Sequence, residues 1–416
     1  MKVLIFLAWK PVITETFILS EFDLLKKASI DFFVYYIHHY LGIKKHPKIR
    51  EYDNKITYIP KLPRPIFRKI IYILFYQSKL FFLHPIKYIK ILAFVLLNYK
   101  RYLLRSFFRL SKFIPEIEKY NPDLIYCHYT YENAIFAFLT KLYFDKNQYG
   151  MITHQLNIYE PTCSNLNNII APEFIIVKAE YAKEIWMKRY AKLPIERIKV
   201  LPWGIDCKYF TRLDDNSDSN RKKIFTILSI SRLVEQKGII YLLKACYILA
   251  KNNLDFRCLI YGDGKEKYKL LRYIKQFNLG KYIKLYPFIS HSVKIKKLLS
   301  SADIFVLPCL IAQDGEGDII PNVLLEAMAM ELPVVTTKAG GMNEVIKDGV
   351  NGFIVKEKDE VDIADKIVKI MKMSENTKSE IGKNARETVI KYWDKETLGK
   401  SFINFLNKVH QDNEEI

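Results

Sequence analysis

Asp318 and Glu326 stand eight residues apart in the segment GDIIPNVLLEAMAM (residues 317–330), which reads as a tight loop running into a helix. Pro321 suits the first turn of such a helix, because its missing N–H would have no partner there. Val323, Leu324, Ala327 and Met328 recur at helical spacing and mark one face as core. A helix N-terminus presents unpaired amides and the positive end of its dipole, so the N–H groups of Asn322, Val323 and Leu324 suit a phosphate. Two carboxylates at the same mouth would accept from hydroxyls. The combination fits a phosphorylated, polyhydroxyl ligand; an ordinary capped amphipathic helix fits the same residues.

Arg232 and Lys237 follow a predicted strand that ends at Ile230. A guanidinium grips two phosphate oxygens in a planar fork, and an ammonium acts as a movable point charge. His154 ends another predicted strand and is followed by the polar Gln155 and Asn157. Taken alone, a histidine there is as well explained as a hydrogen-bonding surface residue. His128 also closes a predicted strand, from which it could face the same cleft. Gly340-Gly341 sits in a strand-to-helix turn, another place where amides could meet phosphate. No Ser-His-Asp set and no paired strand-end carboxylates stand out, and nothing in the pattern calls for a metal or a cofactor.

The elements that must position these residues alternate strand with helix. Residues 3–7, 31–36, 124–127, 150–153 and 174–178 read as strands, interrupted by a long helical stretch over 65–120. A short polar linker, DDNSDSN at 214–220, separates them from a second series: strands at 224–230, 256–261, 282–286, 304–308, 334–337 and 352–355, with a helix over 239–251. The tail from 359 to 409 reads as consecutive helices with a break at Tyr392-Trp393. The 416 residues are enough for two α/β domains, each with its own core. Doubly wound sheets of this kind bind ligands beyond the carboxyl ends of their strands.

Five segments in order carry a resemblance. They are PVITETFI (11–18), Thr153-His154-Gln155, LPWGID (201–206) with Phe210, SRLVEQKG (231–238), and the Asp318/Glu326 acid pair. The set resembles the retaining glycosyltransferases of family 4, which have the GT-B fold, and within them the colanic-acid and amylovoran exopolysaccharide branch. The resemblance implies an enzyme of hexosyltransferase type. It would move a sugar from a nucleotide-diphosphate donor to a glycan acceptor, without a metal, a cofactor or a protein nucleophile.

It further implies that Arg232 and Lys237 contact the donor diphosphate and stabilise charge on the leaving phosphate. Asp318 would touch donor-sugar hydroxyls at a position where the family more often has glutamate, with Asp314 and Glu316 as substitutes if the alignment slips by two. Glu326 would hold the nucleotide ribose, and His154 would line the sugar pocket near the anomeric carbon. The catalytic set is then His154, Arg232, Lys237 and Asp318. Asn322, Val323, Leu324 and Glu326 join all of these but His154 in donor binding. The implied domains are 1–213 on the acceptor side with a basic, aromatic helical insert at 54–115, 222–391 for the nucleotide sugar, and 392–416 as a helix crossing back.

The net charge of +20 is unevenly placed: residues 54–115 hold thirteen Lys or Arg and no Asp or Glu. Arg101, Arg105, Arg109 and Lys112 repeat at helical spacing, with Leu103, Phe107, Leu110 and Ile114 on another face. Such a basic helix can lie on an anionic membrane surface or present a solvated face. No run approaches the roughly 20 apolar residues that span a bilayer. The apolar stretch 3–9 reads as a buried strand, and the six cysteines lack metal-type spacing, so the cytoplasm is expected, peripheral to the inner membrane face. A lipid-linked saccharide is the expected acceptor. The competing classes are a nucleotide-sugar epimerase of the same fold, a non-catalytic nucleotide-sugar or membrane-surface binder, and a single-strand nucleic-acid surface, which no accompanying motif favours.

Overall fold

The computed structural model describes residues 1–11, 16–38, 47–98, 101–128, 132–145, 148–153, 172–189, 194–212, 224–289, 293–312 and 317–414. The segments 12–15 and 214–220 lie outside them, and with them part of PVITETFI and the predicted linker.

Seven parallel strands form the first sheet: β1 (Lys2–Trp9), β2 (Asp31–His38), β3 (Ile56–Tyr58), β4 (Leu124–His128), β5 (Gln148–Ile152), β6 (Phe174–Val177) and β7 (Ile198–Val200), in the order β3-β2-β1-β4-β5-β6-β7. Six more form the second: β8 (Phe225–Ile230), β9 (Phe256–Tyr261), β10 (Ile283–Tyr286), β11 (Ile304–Leu307), β12 (Val334–Thr337) and β13 (Phe353–Val355), ordered β10-β9-β8-β11-β12-β13. In both sheets the order reverses beside the first strand, which opens a crevice at the carboxyl ends. The strands read as continuous apolar runs because both faces are covered. In β1, Leu4 and Phe6 enter one core while Val3, Ile5 and Leu7 enter the other.

Helices cover the first sheet: α1 (Thr16–Lys27), α2 (Ile66–Leu83), α3 (Pro85–Leu97), α4 (Arg101–Leu110), α5 (Ile114–Tyr120), α6 (Glu132–Phe144) and α7 (Glu180–Arg189). The predicted stretch over 65–120 is thus four helices, with α2 and α3 divided at His84 ahead of Pro85. Around the second sheet lie α8 (Ile239–Lys251), α9 (Lys267–Gln276), α10 (Val293–Ser300), α11 (Asn322–Ala329), α12 (Met342–Val345), α13 (Glu360–Lys372) and α14 (Glu375–Trp393). The final helix, α15 (Lys395–Glu414), leaves the second sheet and packs on α1 and β5; Phe402, Leu406 and Val409 are buried with Phe22, Phe174 and Trp203.

Two chain crossings join the halves side by side. The Ile205 N–H donates to Trp393 O and the Lys395 N–H to Ile205 O, each at 2.9 Å, and Lys395 Nζ lies 2.6 Å from Asp206 Oδ2. The LPWGID segment is therefore bonded to the start of α15.

Two expectations are corrected. Arg109 does not share a solvated basic face with Arg101, Arg105 and Lys112; its guanidinium is fully buried. The last turn of α4 abuts the carboxyl ends of β2 and β3. There Arg109 donates to the carbonyls of Pro60 at 3.0 Å, Ile37 at 3.1 Å and Ile59 at 2.9 Å, and pairs with Glu132. Burial pulls its pKa below the ordinary arginine value, and Glu132 opposes that shift. His128 does not face a cleft. It is buried under α1, with Nε2 3.1 Å from Glu21 Oε1, which also accepts from Tyr126 Oη at 2.6 Å.

Candidate active site

β8 ends at Ile230, and the following loop is tied to the end of β9. The Ser231 N–H donates to Tyr261 O at 3.0 Å and the Leu233 N–H to Asp263 O at 2.8 Å, while the Leu233 side chain is wholly buried. This anchoring leaves Arg232 exposed at the carboxyl edge. Ser231 Oγ beside it is buried without a hydrogen-bond partner among the described residues. A 3-10 turn over Glu235–Lys237 then presents Lys237 and ends at Gly238, whose φ is 63°. A Cβ at Gly238 would come within 1.9 Å of Pro308 O, so glycine lets this turn press against the end of β11.

That approach brings Lys237 to the loop after β11. Lys237 Nζ lies 2.5 Å from Asp318 Oδ2, with the two side chains 8% and 22% exposed. Cys309 Sγ is 4.0 Å from the same oxygen. Burial pushes the Cys309 thiol up to about 12, with Lys237 opposing, so it is no nucleophile near neutrality. The Asp318 loop rests on the glycine pair after β12. Gly340 has a φ of 67°, and a Cβ there would come within 2.1 Å of Asp318 O and 2.8 Å of Ile319 O.

Several sequence expectations change. The Gly341 N–H donates to Ile319 O at 2.8 Å, so the glycine pair supports the acidic loop and that amide is not offered to a phosphate. Pro321 is the N-cap of α11, in extended backbone, not its first helical residue. The Leu324 N–H donates to Pro321 O at 3.1 Å. Of the three amides expected at this helix start, those of Asn322 and Val323 remain. Glu326 is buried on α11. His154, Gln155, Asp314 and Glu316 lie outside the described residues.

The first domain supplies a cation that sequence reading passed over. Lys178 follows β6 directly and sits half-buried, its Nζ 4.8 Å from the centre of the Phe17 ring. Burial pulls its ammonium down to about 8, against the opposing attraction of Asp318. The available signal was a lysine closing the apolar run Phe174–Val177 at a carboxyl edge, and the predicted strand absorbed it. Close by, Glu344 on α12 accepts the N–H groups of Glu180 at 2.9 Å and Tyr181 at 2.8 Å. A carboxylate of the second domain thereby caps a helix start of the first. Lys237, Asp318 and Lys178 thus gather where the two carboxyl edges meet, with Arg232 exposed on the same loop as Lys237, a cationic excess suited to a diphosphate. Among the described residues no group of three His, Cys, Asp or Glu could hold a metal ion.

Residues 211–388 match the family model described as glycosyl transferases group 1. The match takes in the whole second sheet together with Arg232, Lys237, Asp318 and Glu326. The chain is similar to the putative colanic acid biosynthesis glycosyltransferase WcaL of Salmonella typhimurium, 29% identical over 228 residues, which are 54% of this chain and 55% of that protein. It is 37% identical over 167 residues to the amylovoran biosynthesis glycosyltransferase AmsK of Erwinia amylovora, 40% of each chain. The chain thus spans about half the length, or less, of these curated relatives. Among solved structures, Anabaena Alr3699/HepE in complex with UDP superposes with a TM-score of 0.74 at 17% identity, over 98% of this chain and 100% of that one. Two parallel-sheet domains with such neighbours are the GT-B fold that the sequence motifs implied.

Proposed function

We propose that the chain is a retaining, metal-independent glycosyltransferase of family 4, moving a sugar from a nucleotide-diphosphate donor to a lipid-linked glycan in exopolysaccharide assembly. The observation that carries this reading is the Lys237–Asp318 pair, seated on Gly340 at the second sheet's carboxyl edge and met by Lys178 from the first domain. The relatives' names support polysaccharide assembly, and the neighbour's bound UDP supports a nucleotide donor.

In this mechanism Arg232 and Lys237 take the donor diphosphate, and Lys178 adds positive charge from the opposite side. The bond between the anomeric carbon and the phosphate oxygen breaks, and charge builds on that oxygen. Fixed cations at a partly dry site stabilise it more than water would. The acceptor hydroxyl attacks from the same face, forming the new glycosidic bond, and its proton passes to the departing phosphate. Asp318, held by Lys237, accepts from donor-sugar hydroxyls; Glu326 holds the ribose, and His154 lines the sugar pocket.

The test is a thermal-shift screen of UDP-, GDP- and ADP-sugars, since a ligand that binds only the native state raises Tm. Transfer from the stabilising donor to lipid-linked saccharides is then followed, with the anomeric configuration of the product read by NMR. Transfer with inversion would remove the retaining mechanism, and no nucleotide release with any donor and acceptor would remove the enzyme.

A further inference from the structure

A surface helix of a globular protein turns its apolar face inward and its polar face to water. α2 and α3 depart from this, being apolar on the outward side as well. α2 buries only Gln77 and Leu80, and α3 only Ile91 and Val95. Their outward faces carry Phe67, Ile71, Leu74, Phe82, Ile86 and Leu97, from 58% exposed at Phe67 to 86% at Leu97. Phe67, Ile71 and Leu74 follow at i, i+4 and i+7, so they form one stripe. Large apolar side chains exposed together along one helix face mark an interaction site.

A groove of about 720 Å³ lies between the start of α2 and α4. Arg64, Lys69, Arg101 and Arg105 line it, over apolar walls that include Ile73 and Phe108. Its Leu62–Arg64 wall continues the chain from Pro60, whose carbonyl holds Arg109 at the carboxyl ends of β2 and β3. The groove therefore opens on the ligand edge of the first domain. No carboxylate occurs anywhere in residues 54–115.

We propose that the outward face of α2 and α3, with this groove, docks on an anionic phospholipid bilayer. The apolar stripes enter the boundary between headgroups and acyl chains, and the four groove cations meet lipid phosphates. Charge chooses this occupant. A second copy docked through the same face would bring two predominantly cationic faces together, since Asp145, the carboxylate beside α3, is already paired with Lys90 at 2.7 Å, whereas an anionic bilayer supplies both the apolar layer and the opposite charge. The basic helical face expected from Arg101, Arg105, Arg109 and Lys112 is replaced by a surface in which Arg109 has no part. The inference does not rest on the chemistry of the cleft, although it would bring a membrane-borne acceptor to the correct edge of the first domain.

The experiment uses the full chain with vesicles of phosphatidylcholine alone or with one-third phosphatidylglycerol, without donor or acceptor. Sedimentation with the mixed vesicles, not with the neutral ones, and release as salt rises is the expected result. Arg64→Gln, Lys69→Gln, Arg101→Gln and Arg105→Gln together should weaken binding on the order of a hundredfold. Phe67→Ser, Ile71→Ser and Leu74→Ser together should also release the protein, at unchanged Tm, because these side chains contribute nothing to the core. In an otherwise unchanged chain, Phe82→Trp should shift its emission to the blue on mixed vesicles and be quenched by brominated lipid. Absence of binding to the mixed vesicles, or binding indifferent to both sets of substitutions, overturns the proposal. So does a lipid-free dimer that buries the tryptophan at position 82. Nucleotide-sugar binding, followed by thermal shift on the same variants, reports on the cleft separately.

Discussion

Lys237 and Asp318 are joined at 2.5 Å in a pair that bridges the turn after β8 and the loop after β11. The bond holds both residues in place without a ligand, so in the proposed function the donor diphosphate would find its cation already oriented. Asp318→Glu should keep more activity than Asp318→Asn, because the longer acid retains both charge and acceptor capacity. Lys237→Ala should lower kcat/KM on the order of a hundredfold or more while the protein stays folded. Radiolabelled sugar transfer, with Tm measured on each variant, checks this; a harmless Asp318→Asn would take the aspartate out of the site.

Two glycines with similar backbones separate strain from crowding. Gly340 and Gly349 have φ of 67° and 76°, but a Cβ at Gly349 meets nothing within 4 Å, whereas one at Gly340 strikes Asp318 O. Gly349→Ala should cost about 1 kcal/mol of stability from the backbone alone. Gly340→Ala should cost several times that and displace Asp318, with activity falling alongside Tm. Denaturant midpoints for the pair decide the matter, and equal costs would contradict the close approach.

Lys178 predicts a pH dependence. Its folded-state value, pulled by burial from 10.5 to about 8, leaves the unfolded chain binding more protons between those two values. Stability of the parent should therefore rise across that window relative to Lys178→Met. Donor affinity should fall as pH climbs through about 8, because the ammonium loses its charge, with Asp318 as its charged neighbour and Lys237 paired to that same carboxylate. Lys178→Arg should flatten that fall, and titration calorimetry over pH 6.5–9 measures it.

Among the arginines of α4, position decides consequence. Arg105→Gln, at an exposed position, should change stability by no more than about 0.5 kcal/mol. Arg109→Gln leaves Glu132 and three strand-end carbonyls without their cation and should cost about 3 kcal/mol or more. Urea unfolding of the two variants measures the difference.

Long apolar strands such as β1 and β8 were legible because burial on both faces leaves an uninterrupted run. β3 and β7, three residues each, are too short to show any period. Arg109 was misread because helical spacing groups residues by angle but does not say where a helix ends against a sheet. The partnership of Lys237 with Asp318 spans 81 positions in sequence and depends on Gly238 and Gly340, whose close approaches have no sequence signature beyond the glycine itself. Lys178 was hidden for another reason: burial lowers its pKa, and burial at a domain edge has no mark in the sequence around a single lysine.

The return of α15 to the first sheet has a consequence for the order in which the molecule assembles. Phe22, Phe174 and Trp203 have emerged from the ribosome long before Phe402, Leu406 and Val409, which cover them. Throughout synthesis of the second domain, that face of the first is a bare apolar surface, open to chaperones and to aggregation. Substitutions such as Leu406→Asp should therefore reduce soluble yield more than they reduce the stability of whatever protein does fold, and a nascent chain halted near residue 390 should be captured by a holdase that releases the finished one.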